Sequence, residues 1–123
     1  MSWKDSLRLN QEAVLVTCSK QGEPNGIYVN LKGLVDNKIL INACQMNQTL
    51  KNIKENNRVC IVTKYKEEYY RIKGRASLHS SGKYYELAKK RNVGPGVILA
   101  ITVDVDEVFD LDDVKVVGER SVF

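Results

Sequence analysis

The chain of 123 residues has little of what usually announces a special chemistry: one histidine, one tryptophan, two prolines and three cysteines. A single histidine excludes a histidine-built metal cluster. Cys18, Cys44 and Cys60 are odd in number and far apart, which excludes a disulfide framework and any CxxC redox or zinc pattern. No apolar run approaches the roughly 18 residues that a membrane-spanning helix needs. Residues 1–6 carry no hydrophobic stretch of the secretory-leader kind. The expectation is a cytoplasmic protein with no membrane partner. Nor is there a run of five like charges, so the concentrated basic surface of a typical nucleic-acid binder is missing and no nucleic-acid partner is expected.

What is present is ordinary in amount and informative in order. Hydrophobic residues make up 43% and charged residues 28%, with a net charge of +4 spread along the chain. That balance suits a soluble domain with some preference for an anionic small molecule. A chain of this size buries about two-thirds of its extended surface, enough for one core without disulfides or metal. Residues 1–123 are therefore expected to form a single domain with no metal site.

β-type runs dominate. Residues 13–18 are rich in β-branched and apolar side chains, and Ser19-Lys20-Gln21-Gly22 has turn composition, which predicts a hairpin. Pro24 then opens a strand with Ile27, Val29 and Leu31 on one face and Tyr28 and Asn30 on the other. A third strand covers 38–42 after the Asp36-Asn37 turn, and a fourth covers 58–63. The fifth alternates most cleanly: Tyr70, Ile72, Gly74, Ala76 and Leu78 against Tyr69, Arg71, Lys73, Arg75 and Ser77. Gly74 inside it predicts a bend or bulge. The sixth strand spans 97–105, and the apolar pair Val122-Phe123 ends the chain. Helical patterns are few: a turn or two before Leu9, a helix beginning at Asn47 with an apolar edge of Leu50 and Ile53, and a helix over 83–91 capped by Ser80 or Ser81 and ended by Gly94 and Pro95. Six strands with hairpin connections expose edges unless the sheet curls shut. The predicted fold is mostly β, a six-stranded antiparallel split β-barrel with short peripheral helices.

The helix start at Asn47, Gln48 and Thr49 is the strongest functional signal. The first N–H groups of a helix lack internal partners and sit at the positive end of its dipole, so an anion binds there readily. The plain alternative makes Asn47 an N-cap and nothing more. Arg71, Lys73 and Arg75 read as a solvated outer face or as groups turned toward an anion. His79 reads as a surface or loop residue, with proton donation or haem ligation as the sharper alternative. Cys44 reads as a small residue allowing close approach, and Gly94-Pro95-Gly96 as loop punctuation. Tyr69, Tyr70, Tyr84 and Tyr85 are candidates for packing at a sheet or subunit face, or for stacking on a ring. No residue stands out as a catalytic acid or base.

The order of these elements, with "NNRVCIV" and "YYRIKGRASLHSSGKYYE", resembles the FMN-binding split-barrel family that includes pyridoxamine 5′-phosphate oxidase. The similarity covers roughly residues 6 to 109. It implies FMN held between the two subunits of a homodimer. Carried over by position, it places the isoalloxazine rim along Ile27, Tyr28, Val29 and Asn30, the ribityl chain at Asn42 and Ala43, and the phosphate at Asn47, Gln48 and Thr49. Relatives commonly carry Lys or Arg in that phosphate turn, whereas Gln48 and Thr49 are neutral; Arg71 or Arg75 is the candidate replacement. The chain stops too soon, and lacks the basic C-terminal motif, for the oxidase in the strict sense. The expectation is a small FMN oxidoreductase or electron carrier with a small-molecule redox partner or substrate. The alternatives are a non-redox module for another phosphorylated or flavin-like ligand and, third, an oligonucleotide-binding barrel using Arg71, Lys73 and Arg75.

Overall fold

The computed structural model of the protein describes residues 2–44, 46–92, 96–110 and 114–117. A one-turn helix α1 (Ser2–Asp5) precedes β1 (Leu9–Cys18), β2 (Pro24–Val35), β3 (Lys38–Ala43), α2 (Asn47–Glu55), β4 (Arg58–Tyr65), β5 (Glu68–His79), α3 (Lys83–Arg91), β6 (Leu99–Asp110) and β7 (Val114–Val117). The sheet order is β3-β2-β1-β4-β5-β6-β7, every pairing is antiparallel, and β3 also pairs with β6. That last pairing closes six strands into the expected barrel. β7 is an addition that the sequence pattern did not reveal, lying along the far end of β6 through Val108↔Val117.

Alternation explains which face each strand buries. Leu15, Leu31, Ile39, Ile41, Ile61, Ile72, Ile101 and Val103 fill the barrel interior and have no solvent exposure. Each contributes about 1.5–3 kcal/mol by leaving water. Opposite parity points outward: Val14, Val16 and Cys18 on β1, Cys60 and Val62 on β4, Arg71, Lys73 and Arg75 on β5. The β2–β3 hairpin turns at Asp36 and Asn37, both with positive φ (54° and 63°), the left-handed pair that a two-residue hairpin turn requires. α3 covers the outside of β3 and β6, where Leu40, Ala88, Val97 and Ala100 make a second small core. At one barrel end Trp3 and Leu7 are buried, and the Ser6 and Thr63 hydroxyls share a hydrogen bond of 2.7 Å.

Two helix starts differ from expectation. The N-cap of α2 is Met46, without a side-chain cap, so Asn47 is the first helical residue and not the cap. α3 begins after Gly82, whose φ of 90° only glycine adopts easily, and neither Ser80 nor Ser81 caps it. The proposed stop signals Gly94 and Pro95, and the pair Val122-Phe123, lie outside the described residues.

Gly74 sits where the β5–β6 register slips between Lys73 and Gly74, the predicted bulge. A Cβ there would lie 2.2 Å from the Asp104 carbonyl oxygen and 2.8 Å from Val103 Cγ1. Backbone cannot yield as a flexible side chain can, so Gly74→Ala should destabilise the fold by about 3 kcal/mol. Urea denaturation followed by circular dichroism measures this; a loss below about 1 kcal/mol would contradict so tight a crossing.

Candidate functional site

The residues singled out in the sequence fall into three groups. Tyr28 and Asn30 project from the outer face of β2, Tyr28 with 84% of its surface exposed, while Val29 is buried and Ile27 half-buried on the core side. Along residues 27–30 only backbone groups and the outward pair are open to a ligand. Asn47, Gln48 and Thr49 form the first turn of α2. A hydrogen bond of 3.2 Å from Asn25 Nδ2 to Thr49 Oγ1 ties the start of β2 to this turn, so these two groups are neighbours. Asn42 and Ala43 do not join them through their side chains. Asn42 faces α3, where its Nδ2 donates to Asn92 Oδ1 at 2.9 Å; its own Oδ1 is buried without a hydrogen-bond partner among the described residues. Ala43 lines the barrel interior, and its carbonyl accepts from the Ile98 N–H at 2.9 Å.

Beneath the first turn of α2 runs a network that sequence reading missed. Gln48 Nε2 donates to Asn52 Oδ1 at 2.9 Å, and Asn52 Nδ2 donates to Thr17 Oγ1 at 3.0 Å. Thr17, Thr49 and Asn52 are each only 1% exposed. The available signal was spacing: Gln48 and Asn52 are four apart on one helix, on the stripe that includes the apolar Ile53. Beside this network is a hollow of about 240 Å³ lined by Ser19, Glu23, Pro24, Asn25, Gln48 and Asn52.

Pro24 also borders a larger cleft of about 650 Å³ on the outer sheet face, over Val16, Cys18, Cys60, Arg58 and Lys73. Its size is within the range of small-molecule and cofactor pockets. Burial pushes the Cys60 thiol above its ordinary value, and the charges of Arg71 and Lys73 offset this only in part, so it stays protonated and unreactive. Arg75 is committed elsewhere: its Nε and Nη2 hold both oxygens of Asp106 at 2.9–3.1 Å. The guanidinium of Arg71 lies 4.3 Å from the Phe109 ring centre. His79 is half-buried rather than a plain surface residue, bonded to Thr102 Oγ1 at 2.8 Å and packed on Tyr84. No group of three or more metal-ligating side chains occurs among the described residues, and no helix there is long and apolar enough to cross a membrane.

Around the larger cleft the outer face is uncovered among the described residues. Strand register sets Tyr28, Val14, Val62 and Arg71 side by side in one transverse row, and Val16, Cys60 and Lys73 in the next. Tyr28 and Val62 are exposed, the latter at 40%.

With this geometry in hand, comparison with known proteins is decisive for ancestry. The family model described as pyridoxamine 5′-phosphate oxidase matches residues 3–109. The chain belongs to that family. An uncharacterized protein of Methanocaldococcus jannaschii is 30% identical over 110 residues, covering 83% of this chain and 74% of its own. The crystal structure of HupZ from Group A Streptococcus superposes with a TM-score of 0.82 at 26% identity, covering 96% of this chain and 98% of that one. An FMN-binding protein of Syntrophomonas wolfei shares the fold with a TM-score of 0.75 at 15% identity, over 90% of this chain and 82% of its own.

The hydrogen bonds from Arg75 depress the Asp106 carboxyl below its ordinary 3.8. A depressed folded-state value gives stability that is complete above the ordinary carboxylate value and lost as pH falls through the folded one. Asp106→Asn should therefore lower stability near neutral pH, with the gap to the native protein narrowing toward about pH 3. Urea midpoints at the two pH values measure it; a constant gap would show that the pair contributes nothing through charge.

Proposed function

We propose that this protein binds a flavin, with FMN the cofactor expected from its relatives, against the outer side of β2 and at an interface between two copies of the chain. The observation that carries the reading is the Asn25–Thr49 hydrogen bond, which ties the start of β2 to the first turn of α2 and so brings the strand and the helix start to one corner. Family membership and an FMN-binding protein of the same fold support it. Tyr28 offers an exposed aromatic face for the ring, and β2 before Leu31, which pairs with β1 but not with β3, offers alternate backbone groups along its free edge. The uncovered row of Tyr28, Val14 and Val62 suits a homodimer contact, which would bury its apolar surface and enclose the ring.

A bound flavin supplies hydride and electron transfer itself; these residues would position the ring and exclude water. A small oxidoreductase or electron carrier working with a small-molecule partner is the role that fits. A second reading, a module that holds the ligand without turnover, is favoured by two facts. The nearest thiol, Cys60, is held protonated, and the Arg75–Asp106 ion pair locks the neighbouring carboxylate in its charged form.

Two measurements test the proposal. Adding flavin to the purified protein should quench flavin fluorescence saturably and shift its visible absorbance; no change would refute it. Sedimentation should give a dimer, and Val62→Glu, an exposed position, should yield a folded monomer with at least about tenfold weaker flavin binding. A monomeric native protein that binds flavin fully would remove the interface from the proposal.

A further inference from the structure

We infer that the hollow between the β1–β2 hairpin and α2 receives a neutral, hydroxyl-bearing end of the ligand rather than a phosphate, so that the protein takes riboflavin and FMN alike. The inference rests on the flavin reading above and specifies how the site treats the two flavins.

Charge is the first ground. Of the six residues lining the hollow, Glu23 is the only charged one, and it is a carboxylate. Lys20 and Lys51, the nearest cations in sequence, do not line it, and Arg75 is locked to Asp106. The free N–H groups of Asn47, Gln48 and Thr49 at the α2 start amount to about half a positive charge. Half a charge against a full negative one leaves the hollow unattractive to a dianion. The FMN phosphate therefore does not fit this corner as the rest of the flavin fits its surroundings.

Hydrogen-bond chemistry is the second ground. A phosphate dianion only accepts, and strong phosphate sites are built from donors and cations. Here three of the six lining residues, Asn25, Gln48 and Asn52, carry amides, which donate and accept equally. Gln48 spends one N–H on Asn52, and Asn25 spends one on Thr49, leaving the Gln48 and Asn25 side-chain carbonyl oxygens without a donor among the described residues. Ser19 Oγ already accepts the Gln21 and Glu23 N–H groups at 3.2 and 3.1 Å. A hydroxyl, which donates and accepts together, matches such a lining better than an acceptor-only group.

Gln48 and Glu23 are exposed, so they can be changed without disturbing the core, whereas Thr49 is buried and Thr49→Asp would destabilise the fold. Fluorescence titration of the full chain should give riboflavin and FMN dissociation constants within about threefold of each other, with FMN affinity insensitive to salt. Gln48→Arg and Glu23→Gln should each raise the affinity for FMN relative to riboflavin, the former by roughly tenfold. Native protein that binds FMN more than about tenfold tighter than riboflavin would overturn the inference. Inorganic phosphate decides it separately from the flavin reading: the Asn47, Gln48 and Thr49 amide resonances should not shift saturably when phosphate is added. A saturable shift overturns the neutral hollow whether or not flavin binds, whereas loss of all flavin binding with no phosphate shift refutes the flavin reading alone.

Discussion

The backbone of β5 passes so close to β6 at Gly74 that no side chain fits between that residue and the Asp104 carbonyl. This approach lets β6 bulge, leave its first partner's register and still reach β3, with Lys38↔Asp104 the last pair of that second ladder. Closure follows from it, and closure determines the rest. With β3 pinned between β2 and β6, the chain leaves Ala43 at a fixed corner and α2 must start beside the β1–β2 hairpin. The Asn25–Thr49 and Asn52–Thr17 hydrogen bonds then hold α2 in place. Buried amide and hydroxyl groups of this kind are costly when unpaired, so the network fixes one orientation of α2 more sharply than its short apolar edge would.

Electrostatics in this protein stitches elements together at the surface. Asp36 accepts from Lys83 and Tyr84, joining the β2–β3 turn to α3; Lys38 pairs with Asp104 across β3 and β6; Arg75 pairs with Asp106 across β5 and β6. All six charged groups are substantially solvated, so each pair is worth little by itself. Their consequence is local: they use up one cation that the sequence offered to a phosphate. Arg75 was one of two such candidates, and its Nε and Nη2 edge is occupied by Asp106.

Much of the barrel was legible because alternation is a direct print of burial. The β5 pattern, the turn at Asp36 and Asn37, and the bulge at Gly74 all follow from period-two chemistry and from the backbone freedom of particular residues. Helix starts were less legible. Met46 and Gly82 stand where polar caps were expected, because tertiary contacts hold both helices and no cap is needed to stop fraying. β7 was invisible, being four residues whose partner among the described residues is the far end of β6. At the candidate site, the outward placement of Tyr28 and Asn30 could be read from strand parity. Which way Asn42 and Asn52 turn could not, since a polar residue on a buried face carries no periodic signature until its partner across the fold is known.

Burial of the outward face of β2 and the first turn of α2 by one ligand is the central claim, and hydrogen–deuterium exchange with and without riboflavin tests it most directly. Amides of residues 24–30 and 47–50 should gain protection together on adding the flavin, with those under α3 unchanged. Protection confined to α3 and β6, or none at all, would contradict it.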